Sequence, residues 1–379
     1  MRIRPLCREG LNLPLNDVFA MLKAELLMCI EMVYTKKMIR LKSLLGRFRA
    51  LQGYGFVLTL LLCAVPGFSQ TCFTADDMDA PTRSALQVAG SHYFDMVARG
   101  DAASLKQNSI SSVANDFTAI ESSIKDSQAD LTGSHAVPRS PFLLKAEGTA
   151  PLPRAEFLCG IFGATGQTAN SAEFIIPNLP PGNYGIVTLD LTTQKTPYTL
   201  SLVLQQQGTE WKVGGFFLRA TQVGGHDSKW FLDGARAFKA KGQTHNAWLY
   251  FIEGRELAVA VPFMYTQFTD KLYDEVQGVK PPDFPADGST VDLTAPTGKS
   301  YKLIAIYPFA SAKELDVVVK YQTADVSNTG QTFQENMAVM KALLLKFPEL
   351  RDAFEGIVAR GVESSGRDYG SLMPMKDIK

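Results

Sequence analysis

The apolar residues Leu86, Ala89, Tyr93, Phe94 and Val97 recur at helical spacing between Arg83 and Arg99, and Gly100-Asp101 ends the run. Val113, Phe117, Ile120 and Ile124 are spaced four, three and four apart, which places all four on one face of a second helix. After the prolines at 138, 141, 151 and 153 the pattern changes to short β-rich runs over 155–162, 172–176, 184–192, 198–205 and 211–223. Leu179-Pro180-Pro181-Gly182-Asn183 and Gln207-Gly208-Thr209 supply the turn residues for reversals, so the last strands form an antiparallel meander. Helical spacing returns over 230–276, where Gly242 divides two helices and Pro262 opens a third. Strands are then expected over 301–308, 314–322 and 356–362, with a helix between them carrying Phe333, Met337, Met340, Leu344 and Phe347 and closed by Pro348. Ser364-Ser365-Gly366 reads as a turn, and Arg367-Asp368-Tyr369-Gly370 as an exposed turn or a ligand-contacting loop.

The expected class is α+β, with helices on a curved antiparallel sheet followed by a helical hairpin and a small β-β-α-β domain. The expected segments are an upstream extension (1–37), a signal peptide (38–69), a first α+β domain (70–225), a hairpin region (226–278) and a C-terminal domain (279–379). Pro281, Pro282 and Pro285 with Gly278 and Gly288 make 276–289 a linker or boundary.

The signal peptide is the most specific local pattern. Arg40, Lys42, Arg47 and Arg49 lead into an uncharged apolar run from Gly53 to Val65, and the small residues Gly67 and Ser69 place the cut between Ser69 and Gln70. Thirteen residues are too few for a spanning helix, which needs about 20. Neither Cys63 nor Cys72 follows a small-residue lipidation box. Contact with a membrane is therefore expected only through the signal peptide before cleavage, and the mature protein is expected to be exported to a periplasmic or extracellular space. Residues 1–37 are read as the product of a misplaced start codon ahead of Met38, or as an amphipathic helix around 17–34.

The whole chain balances 38 Lys+Arg against 38 Asp+Glu, but removal of 1–69 takes 10 basic and 4 acidic residues and leaves 28 against 34. A net negative chain without a basic block excludes nucleic acid as a partner. Of five cysteines, only Cys72 and Cys159 survive cleavage. They allow one disulfide, although Cys159 in its apolar run equally suits a core position.

The segment Tyr93-Phe94-Asp95-Met96-Val97-Ala98-Arg99-Gly100-Asp101 with the later Trp211-Lys212-Val213 resembles the nuclear transport factor two-like superfamily of cone-shaped α+β domains, over about residues 83–223. That resemblance implies a pocket for a small apolar ligand. Enzymes of the superfamily place Asp and His inside the cone, and the nearest equivalents here are His92, Tyr93 and Asp95, as an isomerase, dehydratase or cyclase would need. A competing resemblance rests on Phe174 to Tyr184, which is similar to the turn of carboxypeptidase-regulatory β-sandwich modules. Over about residues 228–261, Phe231, Ala235, Phe238, Gly242, Ala247, Phe251 and Gly254 resemble a single tetratricopeptide repeat. The concave face of such a hairpin would present Asn246 and Tyr250 to a peptide; the alternative is that its aromatics are core.

Catalytic and metal motifs are weak. Gly-x-Ser-x-Gly, His-Glu-x-x-His and Cys-x-x-Cys are absent. Ser122-Ser123-Ile124-Lys125 lacks the companion elements of acyl-transfer sites, Gly160, Gly163 and Gly166 lack a phosphate-loop context, and Asp76, Asp77 and Asp79 lack the glycine and distal Glu of a calcium loop. No metal or cofactor is expected. The function expected is non-catalytic binding of a ligand or protein partner, with cell-envelope scaffolding or cone-pocket catalysis as alternatives. N-terminal sequencing of the exported protein is expected to begin at Gln70; a mature chain that retains Met38 would contradict cleavage.

Overall fold

The structure is a computed structural model, and it describes residues 70–160, 168, 170–193, 195–286, 288–310 and 314–379. The expected extension and signal peptide, with Ser69, lie outside the described residues, as do Gly163 and Gly166.

The chain is α+β. Strand β1 (Gln70–Phe73) is followed by helices α1 (Ala80–Ala98), α2 (Ala102–Gln107), α3 (Ser111–Asn115) and α4 (Thr118–Leu131). Asp79 caps α1 by accepting from Thr82 N at 2.8 Å, with Pro81 in the first turn. The second expected helix is two, because the chain breaks at Asp116 and Phe117 between α3 and α4. Seven strands follow: β2 (His135–Pro138), β3 (Phe142–Ala146), β4 (Leu152–Cys159), β5 (Ala172–Leu179), β6 (Gly182–Thr192), β7 (Tyr198–Gln207) and β8 (Glu210–Ala220). The main antiparallel sheet runs β1-β3-β6-β7-β8, with β2 also on β6.

This sheet is buried on both faces, and the period-two alternation of side chains shows how. Val187, Leu189, Leu191, Leu200, Leu202 and Leu204 face the core shared with Leu86, Phe94, Val97 and Ile124 of the helices. Tyr184, Ile186 and Val203 point the other way, onto Phe157 and Phe174 of the β4–β5 hairpin. Helix α1 crosses β6 at Gly185, where a Cβ would lie 2.1 Å from Leu86 Cδ2, so a larger residue would force the Leu86 side chain out of its place. Cys72 on β1 and Cys159 on β4 form a disulfide with Cα atoms 5.1 Å apart, which ties the outer hairpin to the main sheet.

The short pair β9 (Gln222–Val223) and β10 (His226–Asp227) leads to helices α5 (Ser228–Ala240) and α6 (Thr244–Ala258). Strand β11 (Met264–Tyr265) extends the β4–β5 pair before α7 (Gln267–Gln277). Helix α7 opens at Gln267 rather than at Pro262, because Thr266 and Thr269 bond each other's backbone N–H in a reciprocal cap. The C-terminal sheet then runs in sequence order through β12 (Val291–Thr294), β13 (Ser300–Ala310), β14 (Leu315–Gln322), β15 (Gly356–Val362) and β16 (Asp368–Pro374). Helix α8 (Thr329–Lys346) and a 3-10 turn (Pro348–Asp352) join β14 to β15, which are parallel. The expected β-β-α-β order thus gains a strand at each end, and the segment read as an exposed turn or ligand loop at Arg367 to Gly370 runs into β16.

The boundary expected at 278/279 does not separate two cores. One apolar cluster includes Phe231, Phe251 and Leu272 of the helices with Val317, Val339, Leu343 and Ile357 of the C-terminal layers. Val276, Val279 and Phe284 of the expected linker are buried in it. Within the C-terminal layers, Tyr321 donates to Asn336 Oδ1 at 2.9 Å and Asn336 Nδ2 donates to Ser371 Oγ at 2.9 Å, so these buried polar groups satisfy one another.

Asp316 on β14 is only 4% exposed, and Glu314 and Glu355 face it. Burial, followed by those two like charges, raises its pKa from 3.8 to about 6. The folded state therefore holds this proton more tightly than the unfolded chain, so its contribution to stability is present below about pH 4 and lost as pH rises through about 6. Asp316→Asn has no proton to lose. Denaturant unfolding is expected to show the variant gaining about 2–3 kcal/mol on wild type between pH 4 and 8; a difference that stays flat would contradict the assignment.

Candidate binding cleft

The helical spacing that buries Tyr93 and Phe94 turns His92 and Asp95 outward, where both are exposed. Tyr93 is buried, but its hydroxyl donates to Trp211 O at 2.6 Å, and burial with Glu210 nearby raises its pKa. The trio His92, Tyr93 and Asp95 is thus no acid-base group inside a pocket. Leucine and aromatic side chains from the helices pack on the helix-facing side of the sheet, in one core with its leucines.

The second expected site is corrected as well. Asn246 is 0% exposed and Tyr250 is 7% exposed, because the C-terminal layers cover the face of α6 that a free hairpin would show. Asn246 Nδ2 donates to Glu349 O at 2.5 Å, and the Tyr250 hydroxyl donates to Ala353 O at 2.9 Å. Burial raises the Tyr250 phenol to about 12. Both residues fasten α6 to the turn after α8.

A concave surface does exist elsewhere, as a cleft of about 690 Å³ where the ends of β6, β7 and β8 meet the start of α5, the end of α6 and Phe268 on α7. Its apolar part comes from Leu232, Leu257, Val259 and Phe268, and Phe268 remains 54% exposed. Its polar part is a set of preformed ion pairs. Arg139 holds Asp190 with two bonds, Nε to Oδ2 at 2.9 Å and Nη2 to Oδ1 at 2.6 Å. Arg219 reaches Glu256 Oε2 at 3.3 Å and Val259 O at 3.1 Å. On α5, Arg236 bridges Asp233 and Glu275, and Lys229 bonds Asp233 at 2.5 Å. The Lys229 bond, with Arg236 close by, holds the Asp233 carboxyl below its ordinary range, and Glu275 and Asp233 hold Arg236 firmly charged.

No His or Cys lines the cleft, and Ser228 Oγ donates to Gly254 O at 2.6 Å instead of facing a base. Among the described residues no group of three or more His, Cys, Asp or Glu could hold a metal ion, and no helix is long and apolar enough to cross a membrane. What the cleft can do is seat an apolar side chain between fixed charges of both signs. Arg139 lies 51 positions from Asp190 and Arg219 lies 37 from Glu256, so no local spacing in the sequence announces either pair. No family model, curated protein or solved structure matches the chain.

If Tyr250 is a fastening residue, Tyr250→Phe should lower stability by about 1 kcal/mol, and Asn246→Ala by about 1–3 kcal/mol because it strands a buried carbonyl. Urea unfolding measures both. Unchanged stability in the two variants would return these residues to a binding role.

Proposed function

We propose that the protein is exported and works outside the cytoplasm as a non-catalytic binding protein that takes an extended peptide segment of a partner into the cleft. The leader-like pattern over 38–69 and the Cys72–Cys159 disulfide support the location, since such bonds persist in oxidising compartments. The observation that carries the function is the pairing of an exposed aromatic anchor, Phe268, with ion pairs already assembled around an apolar floor.

The chemistry of the cleft selects its ligand class. Its cations and anions are matched, so neither a polyanion nor a polycation gains from the field as a whole. A polypeptide offers what the cleft lacks: an apolar side chain for Phe268 and Leu257, and backbone N–H and C=O groups for the carboxylates and guanidinium groups. A small apolar molecule would take water from those ion pairs and give their free donors and acceptors nothing in return.

A peptide library screened against residues 70–379 by fluorescence anisotropy is expected to yield binders with an apolar residue flanked by polar ones. Phe268→Asp should weaken them about 10- to 100-fold, whereas Leu345→Asp, on an exposed position of α8, should not. Binders indifferent to Phe268→Asp, or no binders at all, would count against the cleft.

A further inference from the structure

Strand β8 ends the main sheet, so its backbone pairs with β7 on one side only. Thr221 N donates to Pro197 O at 2.9 Å, one step beyond the Tyr198–Ala220 pair, and that makes Tyr198–Ala220 a pair without mutual hydrogen bonds. Alternation along the ladder then turns the N–H and C=O of Ala220, Leu218 and Phe216 away from β7. The bulge at Gly214 shifts the phase by one residue, and Val213 accordingly points outward too. Its N–H donates to Asn108 O and its C=O accepts from Ile110 N, both at 2.9 Å.

The chain thus uses this edge once for itself. Ser109 bridges Val213 in parallel, and helix α3 then begins at Ser111 and leads the chain off the strand. Among the described residues no hydrogen bond reaches the outward groups of Phe216, Leu218 and Ala220. Charges and prolines guard other outer strands, with Pro153, Arg154 and Glu156 on β4 and Asp368 and Pro374 on β16. Over 214–220 β8 reads Gly-Gly-Phe-Phe-Leu-Arg-Ala, and its single charge, Arg219, is turned to Glu256 and to Val259 O.

We propose that an extended segment of a partner adds to β8 as the next strand of the sheet, pairing with Phe216, Leu218 and Ala220 and entering the cleft at Ala220, which lines it. This pairing rests on the peptide reading of the cleft and says how that peptide is held. Three N–H and three C=O groups, repeating every second residue at about 6.7 Å, match the repeat of an extended polypeptide backbone.

The surroundings of the edge suit such a segment. Phe216 and Leu218 pack toward the helix-side core and Phe217 toward the core of the β4–β5 hairpin, so an added strand meets apolar side chains on both of its faces. At the Ala220 end it meets Phe268 and the Arg219–Glu256 pair, where an apolar side chain and polar backbone groups each find a partner. A second copy of the chain joined edge to edge would draw on the strand alone and has no use for the cleft.

Amide exchange by NMR on residues 70–379 tests the edge first without a peptide. The amides of Phe216, Leu218 and Ala220 are expected to exchange at least tenfold faster than those of Phe217 and Arg219, which bond to β7. Equal protection in the free chain, or a dimer in sedimentation that protects them, would overturn the proposal, because the edge would already be filled. The probe for the second step is a nine-residue peptide from the screen that loses affinity on Phe268→Asp. Its binding should slow the three edge amides at least tenfold, and N-methylation along it should weaken binding about tenfold or more at every second residue only. Ala220→Pro removes an outward N–H and no bond to β7, and should also weaken the peptide about tenfold. Should that variant fail to fold, the N-methyl series on the wild-type protein decides. A peptide that depends on Phe268 yet shows no alternation would leave the cleft standing and overturn strand addition, whereas the absence of any Phe268-dependent peptide would remove the cleft reading and this proposal with it.

Discussion

The burial of helix α6 is the constraint on which the second half of the molecule depends. One side packs against α5 at Gly254, where a Cβ would lie 2.8 Å from Leu232 Cδ2. The other side enters the C-terminal core, with Leu249 and Phe251 in the same cluster as Val339 and Leu343. Three of its polar side chains, His245, Asn246 through Nδ2 and Tyr250, meet side chains or carbonyls from the stretch 349–353. The same residues that look like a peptide-reading face on an isolated hairpin are therefore its attachment points. With that face closed, the cleft beside α5 is a concave surface that stays open.

The cleft owes its character to how two cores end. The first core closes over the sheet with the leucines of β6 and β7, and at the margin formed by β6, β7 and β8 polar side chains appear: Asp190, Thr199 and Arg219. The second core begins with α5, whose outward side carries Lys229, Asp233 and Arg236. Two polar margins meet across a strip of half-buried apolar residues, and mutual pairing fixes the charges before any ligand arrives. Preassembled charges lower the ordering cost of binding, which suits recognition.

Much of the fold could be read from spacing. The stripe from Leu86 to Val97 buries as its period demands, and the strands over 184–192 and 198–205 fall within β6 and β7. Strands β1, β2 and β3 escaped because each has only four or five residues, and the last two lie among prolines that mark their ends. Strand β16 was hidden by Gly370, Ser371 and Pro374, which are poor strand formers held in place by seven paired positions on β15. The candidate sites were less legible than the elements. Helical spacing shows that Asn246 and Tyr250 share a face but not what covers it. The Arg139–Asp190 and His245–Glu349 contacts join residues 51 and 104 positions apart, and chain order carries no trace of them.

The hairpin and the C-terminal layers share one apolar core. Native-state hydrogen exchange on residues 70–379 addresses this directly, by comparing the opening free energies of the slowest amides of α6 with those of β14 and β15. A shared core predicts that these amides open together, with equal free energies and equal denaturant dependence. An α6 that opens on its own at clearly lower free energy, while β14 and β15 stay protected, would restore the hairpin as a separate unit with a face free for binding and would contradict the account given above.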